Sequence, residues 1–245
     1  MIRVFKDYLK TKPRLYDLAI RFSRNTTASD KFFDAFSRSH NRRVNFLQIG
    51  ASDGLRWDPI RKFVVRDRWN GILVEPLPRV FELLKHNYEH VKRSELVFVN
   101  AAISSARNEG TTFWTYSPEF LEALSLEERL FYLRISSFNR DHVLKEVRSF
   151  PKSEALLTQI RVPCLTVNDL LDQYWPGRTI DLVVIDAEGH DASIIRSIDF
   201  KRFPAEAIFF ESHNLGQEEA EVDRFLRDNA YDTTKIEGDT VALLR

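Results

Sequence analysis

Two short stretches of the chain gather side chains that could do acid–base chemistry. Asp186, Glu188, His190 and Asp191 lie within IDAEGHD, directly after an apolar run, and Glu211, His213 and Asn214 follow the run AIFFE in the same way. Carboxylates so placed can take a proton, orient a histidine or hold a cation, and an unperturbed imidazole titrates near neutrality. His213 is therefore the first candidate for a general base acting on a hydroxyl, with Asp186 and Glu188 orienting a histidine or holding a metal. The alternative is that His213 only hydrogen-bonds in a polar loop. Carboxylates with Asn214 would suit Mg²⁺ or Ca²⁺, but no dense ligand run specifies either, and no Cys/His cluster has zinc spacing. No metal is assigned.

A second group of residues could hold a ligand. Gly50-Ala51-Ser52-Asp53-Gly54 makes a G-x-x-x-G turn after the run VNFLQI. Small residues let a ligand approach the backbone, whose amides favour negative or polar groups. Glu75 ends the next apolar run, where an acidic side chain can accept hydrogen bonds from both hydroxyls of a ribose. The competing reading is a carboxylate capping the helix that Pro76-Leu77-Pro78 opens. The turn is not the G-x-G-x-x-G dinucleotide fingerprint.

The elements that must position these residues are short apolar runs separated by helical patterns. The runs span 44–50, 71–76, 96–103, 180–189 and 207–213, near-continuously apolar as in strands buried on both faces of a parallel sheet. Helices are expected around 58–65, 79–88, 167–174, 191–198 and 217–229, giving an α/β sandwich. The end, YDTTKIEGDTVALLR, reads as an antiparallel hairpin turning at Glu237-Gly238-Asp239. Residues 111–160 break the alternation: rich in aromatics and mostly helical or loop in pattern, they read as a lid or recognition segment, or as a local packing unit. Within them His142, near Ser136, Ser137, Asn139 and Arg140, could approach an acceptor, though serine before Asn-Arg-Asp is also an ordinary helix start.

Before Val44 the chain is different. Residues 1–44 carry 11 basic and 4 acidic residues, a net charge of +7 within a chain whose total is zero. Val4, Tyr8 and Leu9 fall on one helical stripe, Leu15, Leu18, Ala19 and Phe22 on another after Pro13, and Thr27 or Ser29 caps a third helix bearing Phe32, Phe33 and Phe36. A basic helix with an apolar stripe could lie on an anionic membrane surface, pack on its own domain or dimerise. The expected division is a helical extension over 1–43 and a main domain over 44–245.

Composition narrows the classes. With 43% hydrophobic and 29% charged residues the 245-residue chain is globular, and zero net charge argues against general nucleic-acid binding. One cysteine, Cys164, excludes an internal disulfide, and no apolar stretch approaches the roughly 18 residues of a membrane span. A cytoplasmic protein, peripheral to the membrane if the basic arm binds there, is the expectation.

The motifs also carry a resemblance. FLQIGASDG, RWNGILVEPLPRVFELLKHNY, VFVNAAIS, SSFNRDHVL, VPCLTVNDLL, IDLVVIDAEGHDASIIRSIDF and IFFESHNL resemble, in order, the FkbM family of S-adenosylmethionine-dependent methyltransferases, with IDAEGHD the most diagnostic. The resemblance covers roughly residues 44–245. It implies a class I, Rossmann-like α/β sandwich with a mostly parallel seven-stranded sheet ending in an antiparallel hairpin, and S-adenosylmethionine as cofactor. It further implies that Gly50, Ala51, Ser52, Asp53 and Gly54 cradle the methionine part, Glu75 and Pro76 hold the ribose end, and Asn100, Ala101 and Ala102 border the adenine. Asp186 would face the cofactor's amino-acid end or the acceptor. Gln48 departs from the acidic residue many members carry. The implied reaction is O-methylation of a small molecule or glycan. A non-catalytic nucleoside-binding or interaction module on the same fold and a nicotinamide oxidoreductase are the other readings, the latter disfavoured by the wider glycine spacing and the terminal hairpin.

Overall fold

The computed structural model describes residues 10–245. The stripe of Val4, Tyr8 and Leu9 lies outside them. Five parallel strands, β1 (Asn45–Ile49), β2 (Asn70–Val74), β3 (Leu96–Val99), β7 (Leu182–Ile185) and β8 (Ala207–Glu211), join the antiparallel β9 (Tyr231–Ile236) and β10 (Asp239–Leu244) in one seven-stranded sheet of order β3-β2-β1-β7-β8-β10-β9. The hairpin turns where expected, with Glu237 at φ 58°.

The apolar runs are continuous because alternate residues serve opposite layers. Leu47 and Ile49 of β1 join Val183, Ile185 and Ile208 in a core closed by α8 (Val167–Tyr174), α9 (Asp191–Ser197) and α10 (Glu219–Asp228). Phe46, Leu73, Val184 and Phe209 face the other way, onto Phe33 of α2 (Ala28–Ser39), Phe63 of α3 (Arg61–Asp67) and Leu84 of α4 (Pro78–Tyr88). Phe33 and Phe209 meet with ring centroids 4.9 Å apart, so the last helix of the basic arm completes a face of the sheet. Thr27 caps that helix by accepting the Asp30 amide at 3.0 Å.

Two expectations need correction. The run 96–103 is not one strand: β3 stops at Val99 and Ala102–Ile103 forms β4 of a second sheet. Asn100 causes the break by donating its side-chain amide to the carbonyls of Glu75 (2.8 Å) and Pro76 (3.0 Å), which draws the chain off the sheet. Nor are the edges of the 111–160 segment helix or loop. β5 (Asn108–Tyr116) and β6 (Leu157–Leu165) pair antiparallel and, with β4, make a three-stranded sheet of order β4-β6-β5. Between them run α5 (Pro118–Glu122), α6 (Leu126–Arg134) and α7 (Arg140–Val147). Aromatic and β-branched residues in TTFWTY outweigh the helical pattern that follows.

Helix α1 (Pro13–Arg21) also behaves unexpectedly, since Leu15, Leu18 and Phe22 face solvent. Its grip on the body is polar. Buried Asp17 receives Nε (2.7 Å) and Nη2 (3.1 Å) of Arg61 and lies 2.6 Å from His90 Nε2. Arg61, equally buried, also donates to the Gly54 and Asn87 carbonyls. Removing one member of such a buried pair costs about 3–5 kcal/mol.

Candidate active site

β1 and β7 are neighbours at the centre of the sheet, and β1 pairs β2 on its other side, so the chain order reverses there. At such a switch point the loops leaving the strand ends diverge and open a crevice. A cleft lies there, lined by Gly50, Ser52, Glu75, Pro76, Ala101, Ala102, Asp186 and Glu188 among others. The glycine turn, Glu75 and Asp186 thus share one cleft.

The turn after β1 is shaped by its neighbours. Gly50 has φ 80°, and a Cβ there would fall 1.8 Å from the Asp186 carbonyl oxygen, so only glycine lets the β1 and β7 exits cross. The Ser52 amide, held at φ 47°, donates to Glu75 Oε2 at 3.0 Å, and the Leu77 amide donates to Oε1 at 2.8 Å. Each carboxylate oxygen keeps a free lone pair towards the cleft. Glu75 thus fastens the start of α4 and lines the cleft. Burial pushes its pKa up to about 7.

Three residues that the resemblance places with the cofactor make contacts within the chain and do not line the cleft. Asp53 is buried and accepts the Leu55 and Arg56 amides at 3.0 and 2.8 Å and Arg56 Nη1 at 2.6 Å. Gly54 packs on α4, where a Cβ would meet Leu84 at 2.4 Å. Asn100 is occupied with the turn carbonyls described above. Beyond Glu75 the cleft wall is apolar, from Leu77, Val80, Ile103, Phe113, Leu133 and Phe138, a slot suited to a flat heteroaromatic ring. Phe113, Leu133 and Phe138 come from the 111–160 segment, which therefore builds part of the cleft.

The exit of β7 supplies the charge. Glu188 and Gly189 both take positive φ, 47° and 86°, turning the chain sharply before α9. Glu188 Oε2 meets His142 Nε2 at 3.0 Å, and its backbone carbonyl accepts the Ser137 hydroxyl at 2.9 Å, so Glu188 ties this loop to the 111–160 segment. Asp186 Oδ1, Glu188 Oε1, His190 Nε2, Asp191 Oδ2 and Arg134 Nε are buried without a hydrogen-bond partner. Arg134 Nε and Glu188 Oε1 stand 3.9 Å apart as an ion pair, and the orphaned atoms of Asp186 and His190, two residues that line the cleft, are costly unless a polar ligand meets them. Burial, with Glu188 and Glu211 nearby, drives Asp186 well above the carboxylate range. Burial lowers His190.

A second pocket adjoins the first, sharing Gly50, Ser52, Arg134 and Asp186 with it and adding Gln48, Trp57, Asp58, Glu211 and Asp239. Gln48 donates to Asp58 at 3.3 Å and leaves its carbonyl oxygen unpartnered. Glu211 is raised by burial and by Glu188, and its Oε2 takes the Asn214 amide at 2.7 Å. His213 does not line either pocket. Its side chain is 58% exposed, with Nε2 3.3 Å from Glu211 Oε1 on the outer side. Trp57, Arg134 and Asp239 had no signal of their own in the sequence, since only the fold brings them to Glu211. Among the described residues a His/Asp/Glu group with ligand spacing occurs at His40, Asp181 and Glu206, below the opposite strand ends.

The buried carboxylates give the protein a pH signature. Glu75 and Asp191 are raised to about 7 and Asp239 to about 6, mainly by burial. Between the ordinary carboxylate range near 4 and about 7 the folded state therefore binds more protons than the unfolded chain, and stability falls as pH rises through that window. The thermal midpoint is expected to be higher near pH 5 than near pH 8, with a shallower slope in Asp191→Asn. A midpoint that climbs over this range would contradict the assignment.

The sheet order, the glycine turn and the carboxylate at the tip of β2 define a Rossmann-like, class I methyltransferase fold. The chain belongs to the methyltransferase FkbM family, whose domain profile matches residues 48–233. Among solved structures it is similar to the FkbM methyltransferase of Methylobacillus flagellatus, with 8% identity and a TM-score of 0.50 over 82% of this chain. The chain spans 44% of that structure's length. Weaker likenesses include a precorrin-6y C5,15-methyltransferase of Geobacter metallireducens (12% identity, TM-score 0.41, 86% of this chain and 87% of that one) and a Bacillus cereus O-methyltransferase solved with SAH (10%, 0.40, 96% and 90%). No curated protein sequence matches significantly.

The cofactor that this family implies is S-adenosylmethionine, and the residues fit it. Glu75 offers acceptors to two ribose hydroxyls, the Leu77–Phe113–Phe138 slot suits the base, and the orphaned carboxylate oxygens suit a ligand bearing positive charge. No helix among the described residues is long and apolar enough to cross a membrane.

Proposed function

We propose that this protein transfers a methyl group from S-adenosylmethionine to a hydroxyl of a sugar or related polyol. The observation that carries the acceptor class is Trp57. It sits at φ 58°, a strained backbone for a bulky residue, with 46% of its surface exposed, in the pocket lined by Asp186, Glu211 and Asp239. An aromatic face beside several carboxylates is what a neutral polyol needs: the ring covers its C–H face and the carboxylates accept its hydroxyls.

When bound, S-adenosylmethionine supplies a methyl group already activated by attachment to positively charged sulfur. The chain's work is then positioning and proton removal. Glu75 would hold the ribose end, Asp186 and the Gln48 carbonyl oxygen the ammonium group, and Arg134, which lines both pockets, the carboxylate. Glu211 takes the acceptor's proton; its raised pKa makes it a stronger base than an ordinary carboxylate once ionised. His213, on the outer side of Glu211, orients it, and Glu188 anchors the loop that carries Asp186.

The test is incubation with isotopically methyl-labelled S-adenosylmethionine and a panel of monosaccharides, polyols, amines and carboxylic acids, read by mass spectrometry. Label is expected on hydroxyl oxygen, and Trp57→Ala should raise KM more than it lowers kcat. Label confined to amines or carboxylates would refute the acceptor class.

A further inference from the structure

We propose that α1 and the groove beside it dock on an anionic membrane surface. The starting point is that the helix is inside out. Its one fully buried side chain is a carboxylate, Asp17, held by Arg61 and His90, whereas Leu15, Leu18 and Phe22 are 51%, 55% and 83% exposed. At helical spacing these three fall within about 60° of one another, so they form a single ridge turned away from the protein. Isolated exposed apolar residues need no explanation, but an aligned apolar ridge opposite a buried ion pair does.

Charge identifies what covers the ridge. Alongside it runs an open groove lined by Arg14, Arg21, Arg68, Lys92 and Arg93. None of the five is ion-paired among the described residues, and Arg21 only donates to the Val65 carbonyl. The single acid in the groove, Asp17, is already taken by Arg61 and His90. Arg68 is held outward by its left-handed backbone, φ 62°, at the end of α3. Arg14 and Arg21 lie on the helix between its buried face and the apolar ridge. A cluster of free cations bordering an exposed apolar ridge matches the two layers of a bilayer surface, acidic headgroups for the cations and acyl chains for the ridge. A dissolved phosphate would use the cations and leave the ridge bare. A second copy of this chain would bring the same five cations against themselves.

Co-sedimentation of the full chain with vesicles of phosphatidylcholine, with and without phosphatidylglycerol, tests this. Binding is expected only to the anionic vesicles, weakening with added salt. The doubly substituted Leu18→Asp/Phe22→Asp and Arg68→Glu/Arg93→Glu variants alter exposed residues, so thermal unfolding should be unchanged while vesicle affinity falls about tenfold or more in each. Inorganic phosphate at matched ionic strength should not displace the protein. The proposal is overturned by equal binding to both vesicle types, by binding to neither, by displacement with phosphate alone, or by retention of vesicle binding in both variants. It is also overturned if light scattering shows a dimer that the apolar variant abolishes, or if the protein binds polynucleotide but no vesicle. The surface is separate from the cofactor cleft, and S-adenosylhomocysteine titration of the same variants should be unaltered.

Discussion

Replacing Glu75 by alanine should weaken binding of S-adenosylmethionine and S-adenosylhomocysteine by about 10²–10⁴-fold. Two ribose hydroxyls would donate to one buried carboxylate, each such bond being worth about 1.5–3 kcal/mol. The variant removes a carboxylate whose burial is costly but leaves the Ser52 and Leu77 amides without their acceptors. These effects oppose each other, so the thermal midpoint should move far less than the affinity. Glu75→Gln separates the contributions: it keeps one carbonyl oxygen while turning an NH₂ towards a neighbouring N–H, and should fall between wild type and alanine. Titration calorimetry on the three proteins gives the answer. Unchanged affinity in Glu75→Ala would remove the ribose from the tip of β2.

The second large effect concerns turnover. Glu211→Gln should lower kcat by about 10²–10⁴, the usual contribution of a positioned general base, while S-adenosylhomocysteine affinity stays close to wild type. His213→Ala should cost much less, because His213 is mostly exposed and reaches the pocket only through Glu211. The rate of the wild-type enzyme should rise with pH through the ionisation of Glu211, a dependence the glutamine variant lacks. Near-normal turnover in Glu211→Gln together with a large loss in His213→Ala would return the base to the histidine.

That contrast shows what the sequence could and could not reveal. Near-continuous runs of Val, Ile and Phe are unambiguous for strands buried on both faces, and G-x-x-x-G followed by Glu75 marks the strand tips where the cleft lies, so the sheet and one wall of the cleft were legible. Side-chain direction at a loop was not. His213 and Glu211 are two residues apart in one polar segment, and only the turn towards Gly238, whose carbonyl accepts the His213 amide at 3.1 Å, sends the imidazole outward. Asp53 looks like part of the glycine turn but is consumed by Arg56, a contact that sequence spacing alone does not declare.

The 111–160 segment failed for a different reason. Its flanking strands pair across a separation of some fifty residues, so the alternation in each had no visible partner. The same long-range closure brings Arg134 and Phe138 to the cleft. Helix α1 illustrates the converse case: its apolar spacing was plain, yet one buried ion pair at Asp17 decided which face met the protein.

The central claim is that the cleft between the tips of β1, β2 and β7 binds the methyl donor. The most direct measurement is a crystal structure of the protein grown with S-adenosylhomocysteine. The account predicts the ribose hydroxyls on Glu75, the adenine between Leu77 and Phe138, and the amino-acid end beside Asp186 and Arg134. A nucleoside bound elsewhere, or this cleft closed to it, would contradict the account.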